Sequence, residues 1–95
     1  MTRLDDEDID AALEGGSWTR VADSIVRDIE CGGFNAAMTL ANRVADAANE
    51  ADHHPDILVH GYKHVRLTLS THSAGGITQS DLDLARTIDG LSSDA

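Results

Sequence analysis

One cysteine, one proline and one lysine occur in this 95-residue chain, and its aromatic residues number three: Trp18, Phe34 and Tyr62. The lone Cys31 forbids an internal disulfide and a thiolate-rich metal site, so an intracellular protein is expected. Two glycines follow Cys31 and no basic residue is near it, which leaves its thiol without a means of activation. No apolar run approaches the roughly 18 residues that a membrane span requires. The acidic start, Met1 to Asp8, has no apolar signal region, so a soluble, cytoplasmic, unexported protein is expected. Positive charge is scarce too: 7 basic against 17 acidic residues give a formal charge of −10, which repels phosphate backbones and argues against direct nucleic-acid binding. A role on DNA would need a partner protein. An excess of aspartate with little lysine suits a protein kept soluble at high salt, where charges are screened within a few ångströms, and it equally suits an ordinary acidic cytosolic protein.

What is present is enough for one domain, residues 1–95. Hydrophobic residues make up 41% of the chain, but 13 of them are alanine, so the core is thin and a homodimer or homotetramer would supply burial that one copy lacks. Acids in the first turn, then Ile9, Ala12 and Leu13 at helical spacing, predict a helix over about 5–14, stopped by Gly15-Gly16. Between Ser17 and Glu30 the apolar residues Trp18, Val21, Ile25, Val26 and Ile29 suggest two strands around a turn at Ala22-Asp23-Ser24. From Phe34 onward, Met38, Ala41, Val44, Ala45 and Ala48 recur three and four apart, which predicts a central helix. Pro55 ends it at or just before His54, since proline lacks an amide hydrogen and disfavours the α conformation in the residue before it.

Ile57 to Val59 and Val65 to Thr71 read as two more strands around a turn at His60-Gly61, with Val65, Leu67 and Leu69 facing the core. A flexible loop, Ser73 to Gly76, leads to Thr78 and Asp81 at the N-cap and N3 spacing of a capping box, with Ile77 and Leu82 placed as a hydrophobic staple. The third helix then covers about Gln79 to Leu91. Its apolar residues occupy more than one stripe, so part of it is expected to face another subunit. The last four residues are expected to fray. The fold class that satisfies this order is α+β: a four-stranded antiparallel sheet with three helices packed on one face, in the order α-β-β-α-β-β-α.

All five histidines, at 53, 54, 60, 64 and 72, fall within a single 20-residue stretch. Imidazole titrates closest to neutral of all side chains, so two or three around one hollow can give and take protons from a single substrate. His53 and His54 fall at the end of the central helix, whose partial negative charge favours imidazolium. Position alone leaves open which of the pair faces a pocket, and a solvated helix cap is the simpler role for two adjacent histidines. His72, closing the last strand after Ser70-Thr71, makes a shared site the stronger reading. Metal binding competes weakly: adjacent histidines do not share one helix face, and a predicted turn separates His60 from His64, which read as exposed hairpin residues. Ser70 and Thr71 point to opposite sides of a strand, so their hydroxyls suit hydrogen bonds to a polar ligand better than nucleophilic catalysis.

These residues resemble the signature of the pterin-4a-carbinolamine dehydratases: His53-His54-Pro55, the aromatic Tyr62, the strand end Leu69-Ser70-Thr71-His72, the Ala74-Gly75-Gly76 loop, and Asp81 in the following helix. Gly16-Ser17-Trp18 ahead of the first strand and Phe34, Met38 and Val44 in Phe-x3-Met-x5-Val spacing extend the likeness to about residues 4–91. The resemblance implies a hydro-lyase that removes water from 4a-hydroxytetrahydropterin, giving quinonoid dihydropterin in the recycling of tetrahydropterin, with no metal or organic cofactor. It implies His53 as principal acid/base, with His54 and His72 binding the pterin and assisting proton transfer. Asp52, Pro55, Ser70, Thr71 and Ser73 would line the pocket. It also leaves room for a non-catalytic dimerisation or protein-binding role on the same fold. One position departs from the pattern. The family usually has a carboxylate four residues before the first histidine, and this chain has Asn49 there, with Glu50 displaced by one. The connection at His60-Gly61 is also one residue longer than in many relatives.

Overall fold

In a computed structural model, residues 2–92 are described. Their elements are α1 (Asp6–Leu13), β1 (Thr19–Val21), β2 (Ser24–Glu30), α2 (Phe34–Ala51), β3 (Asp56–His60), β4 (His64–Leu69), a 3-10 turn (His72–Ala74) and α3 (Gln79–Ser92). The order matches that expected. The fraying expected at the end of the chain concerns residues 93–95, outside those described, and Ser92, inside α3. No described helix is long and apolar enough to cross a membrane.

The sheet order is β1-β2-β4-β3, antiparallel throughout, so the two central strands come from different hairpins. Register explains the one-sided packing. Ile25 lies opposite Leu69, and Ile29 opposite Val65, all at most 9% exposed. In the alternate positions, Asp28 faces Arg66 and Glu30 faces His64, so that side of the sheet is polar and open. The apolar side is covered by Ile9 of α1, by Ala37, Leu40, Ala41, Val44 and Ala48 of α2, and by Leu82, Leu84, Ala85 and Ile88 of α3, all buried.

Two sequence expectations change here. Val21, counted in the apolar pattern of the first hairpin, is 55% exposed because it pairs with Ser24 on the open side of an edge strand. The second stripe of α3 faces no outside partner, because Leu82, Leu84, Ala85 and Ile88 are all buried within this one chain. The helix packs on α2 and is bonded through Asp89 to Arg27 of β2. Leu84→Asp or Ile88→Asp would therefore break the core.

Among the described residues three with side chains take positive φ: Ala22 at 53° between β1 and β2, Tyr62 at 57° after Gly61 between β3 and β4, and Asp52 at 51° at the end of α2. The β3–β4 turn centres on Gly61 to Lys63, one residue later than His60-Gly61, so His60 completes its strand opposite His64. α1 is tied to β1 by Arg20, whose guanidinium donates to both oxygens of Asp10, at 2.8 and 3.0 Å, and holds that carboxyl below its usual range. α3 is tied to the sheet by Asp89, which accepts from Trp18 Nε1 at 2.8 Å and from Arg27. Cys31 is partly buried, and burial pushes its thiol up, away from thiolate.

Candidate active site

The site begins with the way α2 stops. Ala51 is the last helical residue, and Asp52 turns left-handed at φ 51°, ψ 41°. The amide of Asp52 donates back to Ala48 O and Asn49 O, and that of His53 to Ala48 O at 3.1 Å. This is a Schellman closure with aspartate where glycine is usual, a position that short polar side chains tolerate. The helix therefore ends three residues before His54, earlier than proline alone requires. Asp52 is exposed and shapes the backbone that aims the next residue inward.

His53 and His54 point to different environments. The His53 side chain is 14% exposed, and its Nε2 lies 2.5 Å from Oδ1 of Asp81. His54 is exposed, with its Nε2 3.0 Å from Oδ1 of Asn49, one turn back on α2. An amide oxygen only accepts, so His54 donates from Nε2.

Asp81 is 0% exposed, and it is the residue that sequence reasoning left out of the site. Its Oδ2 accepts the amide hydrogen of Thr78 at 2.9 Å, the capping-box half expected at the start of α3, and the hydroxyl of Thr71 at 2.8 Å. Thr71 has one hydrogen to give, so the 2.9 Å contact between the Thr71 and Thr78 hydroxyls runs from Thr78 to Thr71. One carboxylate thus joins three chain segments: the end of α2 through His53, the end of β4 through Thr71, and the start of α3 through Thr78. Among the described residues no buried side-chain nitrogen or oxygen lacks a partner. The signal for Asp81 was in the sequence twice, as the N3 position and as the aspartate of the resemblance, but its capping role hid the second use.

His72 follows Thr71 directly and opens the 3-10 turn, exposed, with Ser73 exposed beside it. This segment is more ordered than the flexible loop expected. Thr71 N donates to Gly76 O at 2.9 Å and Gly76 N to Thr71 O at 3.4 Å, closing the loop at its base. Ser70 turns the other way and donates to the Asp23 carbonyl at 2.9 Å, so its hydroxyl hydrogen is committed to the β1–β2 turn. Pro55 is partly buried between His54 and β3. The structure thus joins His53 and Thr71 through Asp81 and starts His72 from the same point; His54 with Asn49 lies on the exposed side of that junction.

The other two histidines form a separate group on the open face of the sheet. His60 Nε2 lies 2.7 Å from Asp28 Oδ2 and His64 Nδ1 3.5 Å from Asp28 Oδ1, while Arg66 Nε donates to Asp28 Oδ2 at 3.1 Å. The two rings stack at 5.2 Å. Burial pushes the Asp28 carboxyl up, but the bonds from His60 and Arg66 outweigh it and hold it below its ordinary value. Among the described residues no three His, Cys, Asp or Glu side chains are grouped to hold a metal ion. A cavity of about 60 Å³ between α1 and α3, lined by Leu13, Trp18, Leu82, Ala85 and Asp89, is too small for a bicyclic ligand and contains no imidazole.

This arrangement has a histidine on a buried aspartate, a second on a side-chain amide and a third opening the next turn. The sequence profile described as pterin 4 alpha carbinolamine dehydratase matches residues 2–91. The chain belongs to that family. A provisionally named pterin-4-alpha-carbinolamine dehydratase of Nocardia farcinica is 52% identical over 89 residues, 93% of either chain. One of Thermomicrobium roseum, named the same way, is 48% identical over 94 residues, 98% of this chain and 100% of the relative. The crystal structure of a transcriptional coactivator/pterin dehydratase from Brucella melitensis shares 30% identity at a TM-score of 0.89, covering 96% of this chain and 99% of that one. A pterin dehydratase-like RuBisCO assembly factor of the alpha-carboxysome, at 18% identity and a TM-score of 0.63, shares the fold alone.

Proposed function

We propose that this dehydratase-family chain removes water from a 4a-hydroxytetrahydropterin and yields the quinonoid dihydropterin, by histidine acid/base catalysis. The observation that carries the reading is the shared carboxylate of Asp81, which holds His53 and, through Thr71, the start of the His72 turn. In the reaction an acid protonates the 4a-hydroxyl, the C4a–O bond breaks and its electron pair leaves with the water, a base takes the N5 proton, and the electron pair of the N5–H bond forms C4a=N5. His53, with Nε2 occupied by Asp81, has Nδ1 for this exchange, and Asp81 fixes its tautomer and orientation. His54 and His72 bind the pterin and assist the proton transfers, with Asp52, Pro55 and Ser73 at the rim. Transfers of this kind contribute about 10²- to 10⁴-fold in rate. The product feeds the regeneration of tetrahydropterin for aromatic amino acid hydroxylation in the cytoplasm, and the reaction uses no cofactor.

Rapid-mixing measurement of carbinolamine decay tests this reading. Acceleration by the wild-type chain, lost in His53→Ala and reduced in His72→Ala, supports it; two variants that match wild type would overturn the assignment.

The second reading is self-association, as a homodimer or homotetramer, with or without turnover. It is favoured by apolar side chains left open on β3 and α2: Leu58 at 49% and Ile57 at 36% on an edge strand, and Phe34 at 55% and Met38 at 39% on one helix face. Sedimentation of wild type beside Leu58→Asp decides it. A single monomeric species in both would remove the idea.

A further inference from the structure

The residues ahead of α1 lie across the base of the loop that presents His72. Leu4 N donates to Ile77 O at 2.8 Å, and the Leu4 side chain packs against the core. Beside it the Arg3 side chain runs over Gly76 so closely that a Cβ on that residue would meet Arg3 Nε at 2.5 Å and Cδ at 3.0 Å. The guanidinium ends on Asp23 Oδ1 at 3.1 Å, and the backbone carbonyl of the same Asp23 accepts the Ser70 hydroxyl. Gly76 is in turn hydrogen-bonded to Thr71 in both directions. Arg3, Asp23 and Ser70 therefore link the two ends of the loop 71–76 to the β1–β2 turn.

We propose that Arg3 is a positioning residue of the candidate dehydratase site: its side chain straps Gly76 to Asp23 and so holds the 71–76 loop, and His72 on it, in register with His53 and Asp81. The inference rests on the function proposed above. The Arg3–Asp23 ion pair is half-exposed or more at both ends, so it contributes little to global stability. Its effect is on geometry, where small misplacement of a reacting group is costly in rate.

The test compares Arg3→Ala, Arg3→Lys and Gly76→Ala in the full chain. Gly76 needs no positive φ, and the atoms its new Cβ would displace belong to a flexible side chain, so Gly76→Ala lifts the strap while leaving Arg3 in the sequence. Two readouts are taken: hydrogen exchange at the amides of Thr71 and Gly76 without substrate, and kcat and KM for carbinolamine decay. The expected result is exchange at Thr71 and Gly76 accelerated about tenfold in Arg3→Ala and Gly76→Ala, kcat lowered about tenfold at near-constant KM, unchanged melting temperature, and partial recovery in Arg3→Lys. Unchanged exchange in both variants overturns the strap whatever the activity. Faster exchange with unaltered kcat overturns the positioning role. If exchange accelerates but wild type itself fails to speed carbinolamine decay, the strap stands and the functional reading falls.

Discussion

Two aspartates in this protein each hold histidine, and they do so in opposite settings. Asp81 is fully buried, bonds one imidazole, and uses its other oxygen on Thr71 and Thr78. Asp28 lies on the open face of the sheet, one-third exposed, with His60, His64 and Arg66 around it. The residue types are nearly the same. The difference is that water competes for every bond at Asp28 and for none at Asp81, so only the buried carboxylate can fix one ring in one orientation. Five clustered histidines thus divide into three that begin at one junction and two that serve the surface of a hairpin.

Removing Asp81 should have the largest effect. Asp81→Ala removes the acceptor that His53, Thr71 and Thr78 share, so a loss of about 3 kcal/mol is expected by urea denaturation, together with loss of turnover. Asp28→Ala should cost about 0.5 kcal/mol or less; equal costs at the two sites would break the comparison. Next comes His53→Ala, expected to lower kcat by about 10²-fold or more, while His60→Ala leaves it unchanged within about twofold. A smaller effect is expected at Asn49. Asn49→Asp places a charge beside His54, which stabilises its imidazolium, so the pH–rate profile should move to higher pH without loss of fold. An unmoved profile would separate His54 from the chemistry.

The smallest effect is the pH dependence of the exposed cluster. Asp28 has a lowered carboxyl pKa in the folded state, so between that value and about 3.9 the unfolded chain binds more protons, and stability rises with pH. The contribution is complete above about pH 4 and lost as pH falls through the folded value. Asp28→Asn should flatten that part of a stability–pH curve. An unchanged slope would show that the cluster adds nothing even where it is fully charged.

Much of this was legible in the chain because it depends on local pattern. The alternation of Val65, Leu67 and Leu69, the helical stripe from Phe34 and the punctuation by glycine and Pro55 each follow from the period of one element. What escaped depends on elements meeting. Asp81 read as a helix cap, which it is, while its second oxygen acts on His53 across 28 residues of sequence. Ser70 read as a pocket residue, but the β1–β2 turn captures its hydroxyl. The outward stripe of α3 read as an interface because composition does not show how deeply a helix is inserted. His60 and His64 read as exposed hairpin residues, since nothing nearby in sequence announces Asp28 on β2, which leaves their side chains about one-third exposed.

The junction on Asp81 also bears on when this chain becomes competent during synthesis. Residues 53, 71 and 81 must all have left the ribosome and α3 must have docked before the His53 ring is held by Asp81, so on the proposed mechanism no amino-terminal fragment has a working centre. Catalytic turnover would then report completion of the last helix, and a nascent chain stalled before residue 81 should be silent however well its first hairpin has formed.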